Sequence, residues 1–155
     1  MRIARWTVAA ATAALFAAAP ATALAAPAEG ASAVAPTITA TTVAWDAAYG
    51  TEASASGTRW AEQKPSGFGA DLVLTGTLTT TGTGCYAVWT QFTNDFSAGP
   101  TKKQAEVCGA GTVAVNARQS YSLTTTGSIA ICKAGTTYPS DCGEWKSITH
   151  WPIGG

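Results

Sequence analysis

His150 is the only histidine of a 155-residue chain, and it sits near the end in the stretch Thr-His-Trp-Pro. Proton transfer near neutral pH would fall to it first. Ser-His-Asp catalysis also needs an activated serine, and no Gly-x-Ser-x-Gly elbow occurs. Glu106, Arg118 and His150 are the residue types of a ribonuclease-like trio, yet nothing in their spacing brings them together. Asp46, Glu62, Asp71 and Glu144 are scattered rather than paired as glycoside hydrolysis requires. No phosphate-cradling glycine loop, cofactor motif or calcium-type Asp-x-Asp-x-Asp run is present. The chain reads as non-catalytic and free of cofactors.

Cysteine chemistry carries more information. Cys85, Cys108, Cys132 and Cys142 form no Cys-x-x-Cys pair, and one histidine cannot complete a zinc site. An even number of cysteines in a small secreted chain reads as two disulfides, with three connectivities open. Secretion is written into the first residues. Arg2 and Arg5 precede an apolar run from Trp6 to Ala19, and Ala23-Leu24-Ala25 fits a signal-peptidase site. The run is 14 residues, short of the roughly 20 that a membrane span needs. Residues 1–25 are therefore expected to be a signal peptide, residues 26–36 an Ala/Pro-rich flexible leader, and residues 37–155 one domain. Loss of Arg2 and Arg5 leaves seven basic residues against nine acidic ones, a formal charge of about −2. That balance speaks against nucleic acid and against anionic membrane as partners. A soluble monomer is expected after processing.

The elements that position these residues are strands. From Thr37 onward Thr, Val, Leu, Ile and aromatics recur in short runs split by Gly, Pro, Asn and Asp, without a helical period. Strands are expected at 37–45, 59–62, 70–80, 85–92, 102–108, 112–117, 120–125, 129–133 and 144–149. Leu72, Leu74 and Leu78 share one face of their strand, as in a half-buried antiparallel sheet. The expected fold is an all-β, antiparallel two-sheet sandwich, with a small β-barrel as the alternative.

The stretch TNDFSAGP between Phe92 and Thr101 is rich in turn formers and makes a hairpin of its flanking strands. If Cys85 and Cys108 are bonded, the register follows. Ala87 then opposes Glu106, Trp89 opposes Gln104, Tyr86 opposes Val107, and Val88 opposes Ala105. Tyr86, Val88 and Phe92 face a core, while Trp89 shares the other face with Glu106, Gln104 and Lys102. An outward Trp89 is either a cover for the disulfide or a stacking platform for a sugar ring. Trp60, Trp151 and Tyr138 join Trp89 as candidate ligand contacts. The facing of residues 144–151 stays open. Cys132–Cys142 would close KAGTTYPSD into a small loop carrying Tyr138, a shape suited to an inhibitor or toxin-like effector. Two functions follow: an extracellular glycan- or protein-binding module using exposed tryptophans, or an enzyme inhibitor working through the 132–142 loop.

The stretches WDAAYG, GTRWAE, GCYAVW, CGAGTV and ITHWP resemble small secreted β proteins of actinobacteria that have no assigned function. That resemblance implies secretion and two disulfides. Gly84-Cys85-Tyr86-Ala87-Val88 is also similar to a strand of the small two-disulfide α-amylase inhibitors. Those act through a Trp-Arg-Tyr turn, and here Arg59-Trp60 stands in the reverse order.

Overall fold

A computed structural model describes residues 41–150. The signal peptide and leader expected at 1–36, and Trp151, lie outside the described residues. Among the described residues ten strands are present: β1 (Val43–Tyr49), β2 (Ala53–Gln63), β3 (Ala70–Thr80), β4 (Cys85–Asn94), β5 (Ser97–Ala98), β6 (Lys102–Cys108), β7 (Gly111–Tyr121), β8 (Thr125–Lys133), β9 (Ser140–Cys142) and β10 (Lys146–Ser147). They form two antiparallel sheets. The first runs β1-β2-β3-β7; the second runs β10-β8-β4-β5, with β6 also paired to β4 and β9 to β8. The two-sheet all-β fold expected from the sequence is the one observed.

The core lies between the sheets and is built from alternate residues of each long strand. Leu72, Leu74 and Leu78 are fully buried, as are Val88, Val115, Ile129, Ile131 and Ile148. Tyr86 and Phe92 point inward with Val88, as the strand pattern requires. Withdrawing each such aliphatic or aromatic side chain from water contributes about 1.5–3 kcal/mol. Trp45 needs a special seat. Its cross-strand partner is Gly57, which in turn pairs with Gly76. The two glycines leave a dent that the indole fills, and Trp45 Nε1 donates to the carbonyls of Thr58 (3.1 Å) and Thr75 (3.2 Å).

Several strand limits differ from expectation for identifiable reasons. β2 begins at Ala53, although Ala-Ser-Ala-Ser-Gly has weak strand propensity, because β1 and β3 pair with it on both sides. Segments 112–117 and 120–125 are not two strands. Residues 111–121 are one strand, carried through Arg118 and Gln119 by full pairing with β3. Residues 144–149 shrink to the two-residue β10, with Ile148 buried and Trp145 37% exposed, which fixes the facing left open by the sequence.

Both expected disulfides are formed, Cys85–Cys108 and Cys132–Cys142. The first pins β4 to β6 in the expected register from Cys85↔Cys108 to Val88↔Ala105. There the ladder slips. Trp89 pairs with Lys103 rather than Gln104, across a β-bulge. Gln104 is the extra residue, and its side-chain amide donates to Thr90 Oγ1 at 2.7 Å. Thr90 is fully buried, so the bulge supplies a hydrogen-bond partner to a hydroxyl that would otherwise lack one.

Candidate functional site

Trp89 does not lie on an open surface. The sequence places it on the face opposite the core, and that much holds, but it is only 3% exposed. The reason is coverage. Trp89, Ala87, Ala130 and Cys132 make a second small apolar cluster, capped by Ala134 and Cys142 from the disulfide-closed loop. The loop folds across the outer face of β8 and β4, and Lys103 Nζ sits 5.9 Å from the indole centroid. An open cleft of about 580 Å³ runs between Trp89, Thr101, Lys103 and loop residues Gly135, Thr136 and Thr137. Trp89 Nε1 is buried without a hydrogen-bond partner. With its ring covered, Trp89 offers no face on which a sugar could stack.

The loop itself is held from three sides. Thr136 Oγ1 donates to the Tyr138 carbonyl, and Lys133 bridges to Asp141 at 2.6 Å. Tyr49 donates its hydroxyl to the same carboxylate at 2.8 Å, and Lys133 lies over the Tyr49 ring. Lys133 first, then Tyr49, holds the Asp141 carboxyl below its ordinary range. Tyr138, 75% exposed, projects from this loop, so the structure keeps it at the surface as the sequence led one to expect.

Trp60 is half-buried on the outer face of the first sheet. The register there builds a regular grid. Ser54, Ser56 and Thr58 of β2 stand opposite Thr79, Thr77 and Thr75 of β3, which stand opposite Thr112, Ala114 and Asn116 of β7. These nine positions carry no charge, and on the far side of β2 the middle row continues to Asp46 of β1, which is paired with Lys146. Hydroxyl pairs Thr58–Thr75 (3.4 Å) and Thr79–Thr112 (3.3 Å) show the side chains aligned across strands. The next row is Trp60, Val73 and Arg118. Arg118 is neutralised by Glu62 at 2.6 Å and Asp71 at 3.1 Å, which closes the row. Neither the grid nor its uncharged character was anticipated, although alternate Ser and Thr in ASASGTRW and LTGTLTT carried the signal.

A third surface was also missed. Phe68 (87% exposed), Phe96 (101%) and Leu123 (70%) stand at the tips of three loops. Gln63 pairs with Ala70, Ala70 with Tyr121, and Asn94 with Thr125, so the three tips share one end of the sandwich.

His150 is buried and far from catalytic company. Its backbone N–H donates to the Tyr121 hydroxyl at 2.7 Å. Glu106 and Arg118 instead pair elsewhere, Glu106 with Lys103 and Arg118 with Glu62 and Asp71. Burial, and then the Arg59 charge, lower the His150 pKa from its ordinary 6.5. The folded protein thus resists a proton that the unfolded chain accepts. Stability is therefore expected to fall as pH drops below about 6.5, and to level off once folded His150 is protonated too. Thermal unfolding at pH 7.5 and pH 5 checks this: His150→Gln should shrink the difference, and an equal difference in both proteins refutes it. Among the described residues no group of three His, Cys, Asp or Glu side chains is placed to hold a metal ion. None of the described residues forms a helix long and apolar enough to cross a membrane. Comparison with known protein families, curated proteins and solved structures finds no match.

Proposed function

We propose that the chain is secreted and acts as a non-catalytic binding protein for a neutral, extended polysaccharide, which it contacts with the outer face of the first sheet. The observation that carries this reading is the uncharged Ser/Thr/Asn grid ending in Trp60. Strand geometry spaces neighbours within a row about 4.8 Å apart and successive rows about 6.8 Å apart. A flat array of hydroxyl donors and acceptors matches the hydroxyl-rich flank of a glycan chain, and an indole at its end supplies an apolar platform for one ring. The nine grid positions carry no charge and the charges that border them, Asp46 and Arg118, are already paired within the protein, which favours a neutral polymer over an acidic one. The two disulfides suit an oxidising extracellular setting.

Retention on insoluble polysaccharides tests the reading. The native protein should be held, Trp60→Ala should bind roughly tenfold more weakly, and Thr77→Lys should bind weakly as well, since it sets a charge in the middle of the grid. Thr77 is exposed, so this second substitution leaves the fold intact. Failure of every polymer to retain the protein, or retention indifferent to both substitutions, removes the proposal. The inhibitor reading retains one supporting observation, the exposure of Tyr138 on a stapled loop. A loop that instead spends Ala134 and Cys142 against the Trp89 cluster has less free surface to offer an enzyme.

A further inference from the structure

Phe96 is held in an unusual backbone. It and Asp95 form the two-residue turn between β4 and β5, and both have positive φ, 46° at Asp95 and 66° at Phe96. A hairpin turn of this kind normally takes Asn-Gly or Asp-Gly, because a side chain at the second position is strained. Here a phenylalanine occupies the glycine position and is fully exposed. Strain at a bulky residue that makes no packing contact points to a role outside folding.

Phe68 and Leu123 are presented in the same manner. Gly67 and Gly69, both at positive φ, flank Phe68, and Lys64 N–H to the Gly69 carbonyl (3.1 Å) closes its loop. Leu123 tops a turn tied by Thr125 N–H to the Ser122 carbonyl (3.0 Å) and Ser122 N–H to Thr125 Oγ1 (3.1 Å). A groove of about 460 Å³ lined by Ala70, Tyr121, Ser122 and Leu123 lies at this end, yet Leu123 on its rim stays 70% exposed and Phe68 does not line it.

We infer that this end of the sandwich docks onto the surface of a phospholipid bilayer, with Phe68, Phe96 and Leu123 entering the boundary between headgroups and acyl chains. Three features select a bilayer. The apolar side chains project singly from separate loops, with Ser, Thr, Asn and Asp between them. They come from three separate loops, one side chain from each, rather than from a single sheet or helix face of the kind on which a folded partner packs. A fluid apolar phase encloses each one separately while the polar loop residues stay among headgroups. The three loops carry only two charges, Lys64, which is paired with Asp71 at 3.5 Å, and Asp95, so they hold no cationic cluster that would call for an anionic lipid and a zwitterionic one is the fitting surface. The grid carrying Trp60 lies on a sheet face rather than at this end, so the two proposals stand or fall apart.

Co-sedimentation with phosphatidylcholine vesicles at millimolar lipid tests the inference on the native protein and two variants. Binding to vesicles is expected for the native protein. Phe96→Gly should bind about tenfold less, and Phe68→Ser with Leu123→Ser and Phe96→Gly should not bind. At the same time Phe96→Gly should raise Tm by about 4 °C, because glycine relieves the turn. A purely structural Phe96 would move neither quantity in that combination. Absence of native binding, or binding that survives the triple substitution, overturns the inference. So does lipid-independent self-association that the triple substitution abolishes, since the end would then be an interface between copies of the chain.

Discussion

Gly76→Ala is expected to destabilise the fold by about 3 kcal/mol or more, a large share of the stability of a domain this size. The reason is local and geometric. A Cβ at position 76 would fall 2.3 Å from the Ser56 carbonyl oxygen and 2.5 Å from Trp45 Cζ2. The first of these is backbone inside a fully paired sheet and cannot step aside without breaking the β2–β3 ladder. The second is the ring that fills the dent. Moving it would also pull Trp45 Nε1 from the Thr58 and Thr75 carbonyls, leaving buried groups unpaired. Gly82→Ala is the control, since a Cβ there meets nothing closer than 4.0 Å. Urea denaturation should place Gly82→Ala within about 0.5 kcal/mol of the native protein. If Gly76→Ala behaves like Gly82→Ala, the close seat of Trp45 is wrong.

The Gly57–Gly76 pair illustrates what a sequence conceals. Glycine within GTRW and TGTL reads locally as a weak strand position or a turn. Its purpose appears only when β1 brings Trp45 across it, a contact between residues 31 apart in sequence. The same distinction runs through the hairpin. Cys85 and Cys108 set the register of β4 against β6 because a disulfide between facing strands admits one alignment, so Tyr86, Val88 and Phe92 were legible as core. The bulge at Gln104 was not, because it answers the need of a buried hydroxyl, Thr90, which alternation alone does not reveal. Trp89 shows the sharper limit. Strand alternation states which side of its own sheet a residue takes. It is silent on whether another segment later folds over that side, and the 132–142 loop does so. The apolar loop tips were not legible. TNDFSAGP reads as one loop of turn formers, and positive φ at Phe96 follows only from the two-residue turn that the Asn94–Ser97 pairing imposes. The shared end of Phe68, Phe96 and Leu123 depends on strand order and was not legible either.

Opening the Cys132–Cys142 bond, by Cys132→Ala together with Cys142→Ala, is expected to cost about 3 kcal/mol and to expose Trp89. Closure of the loop, with its sequence separation of 10, accounts for the stability term through lost freedom of the unfolded chain. By the same reckoning Cys85–Cys108, at a separation of 23, should be worth slightly more. The two bonds nevertheless differ in what they cover. Cys132 is fully buried within the cluster that includes Ala87, Trp89 and Ala130, whereas Cys108 lies at the surface. Loosening the 132–142 loop lets water reach the indole and supplies its unpaired N–H with a partner, so tryptophan emission should shift to the red. The shift should vanish in a Trp89→Phe background. Loss of Cys85–Cys108 should lower stability and leave the folded-state emission in place. Equal shifts from both disulfide variants would mean that the loop is not what shelters Trp89. Lys133 and Tyr49, which hold Asp141, would then be left as the contacts that fix the loop to the sandwich without sealing anything beneath it.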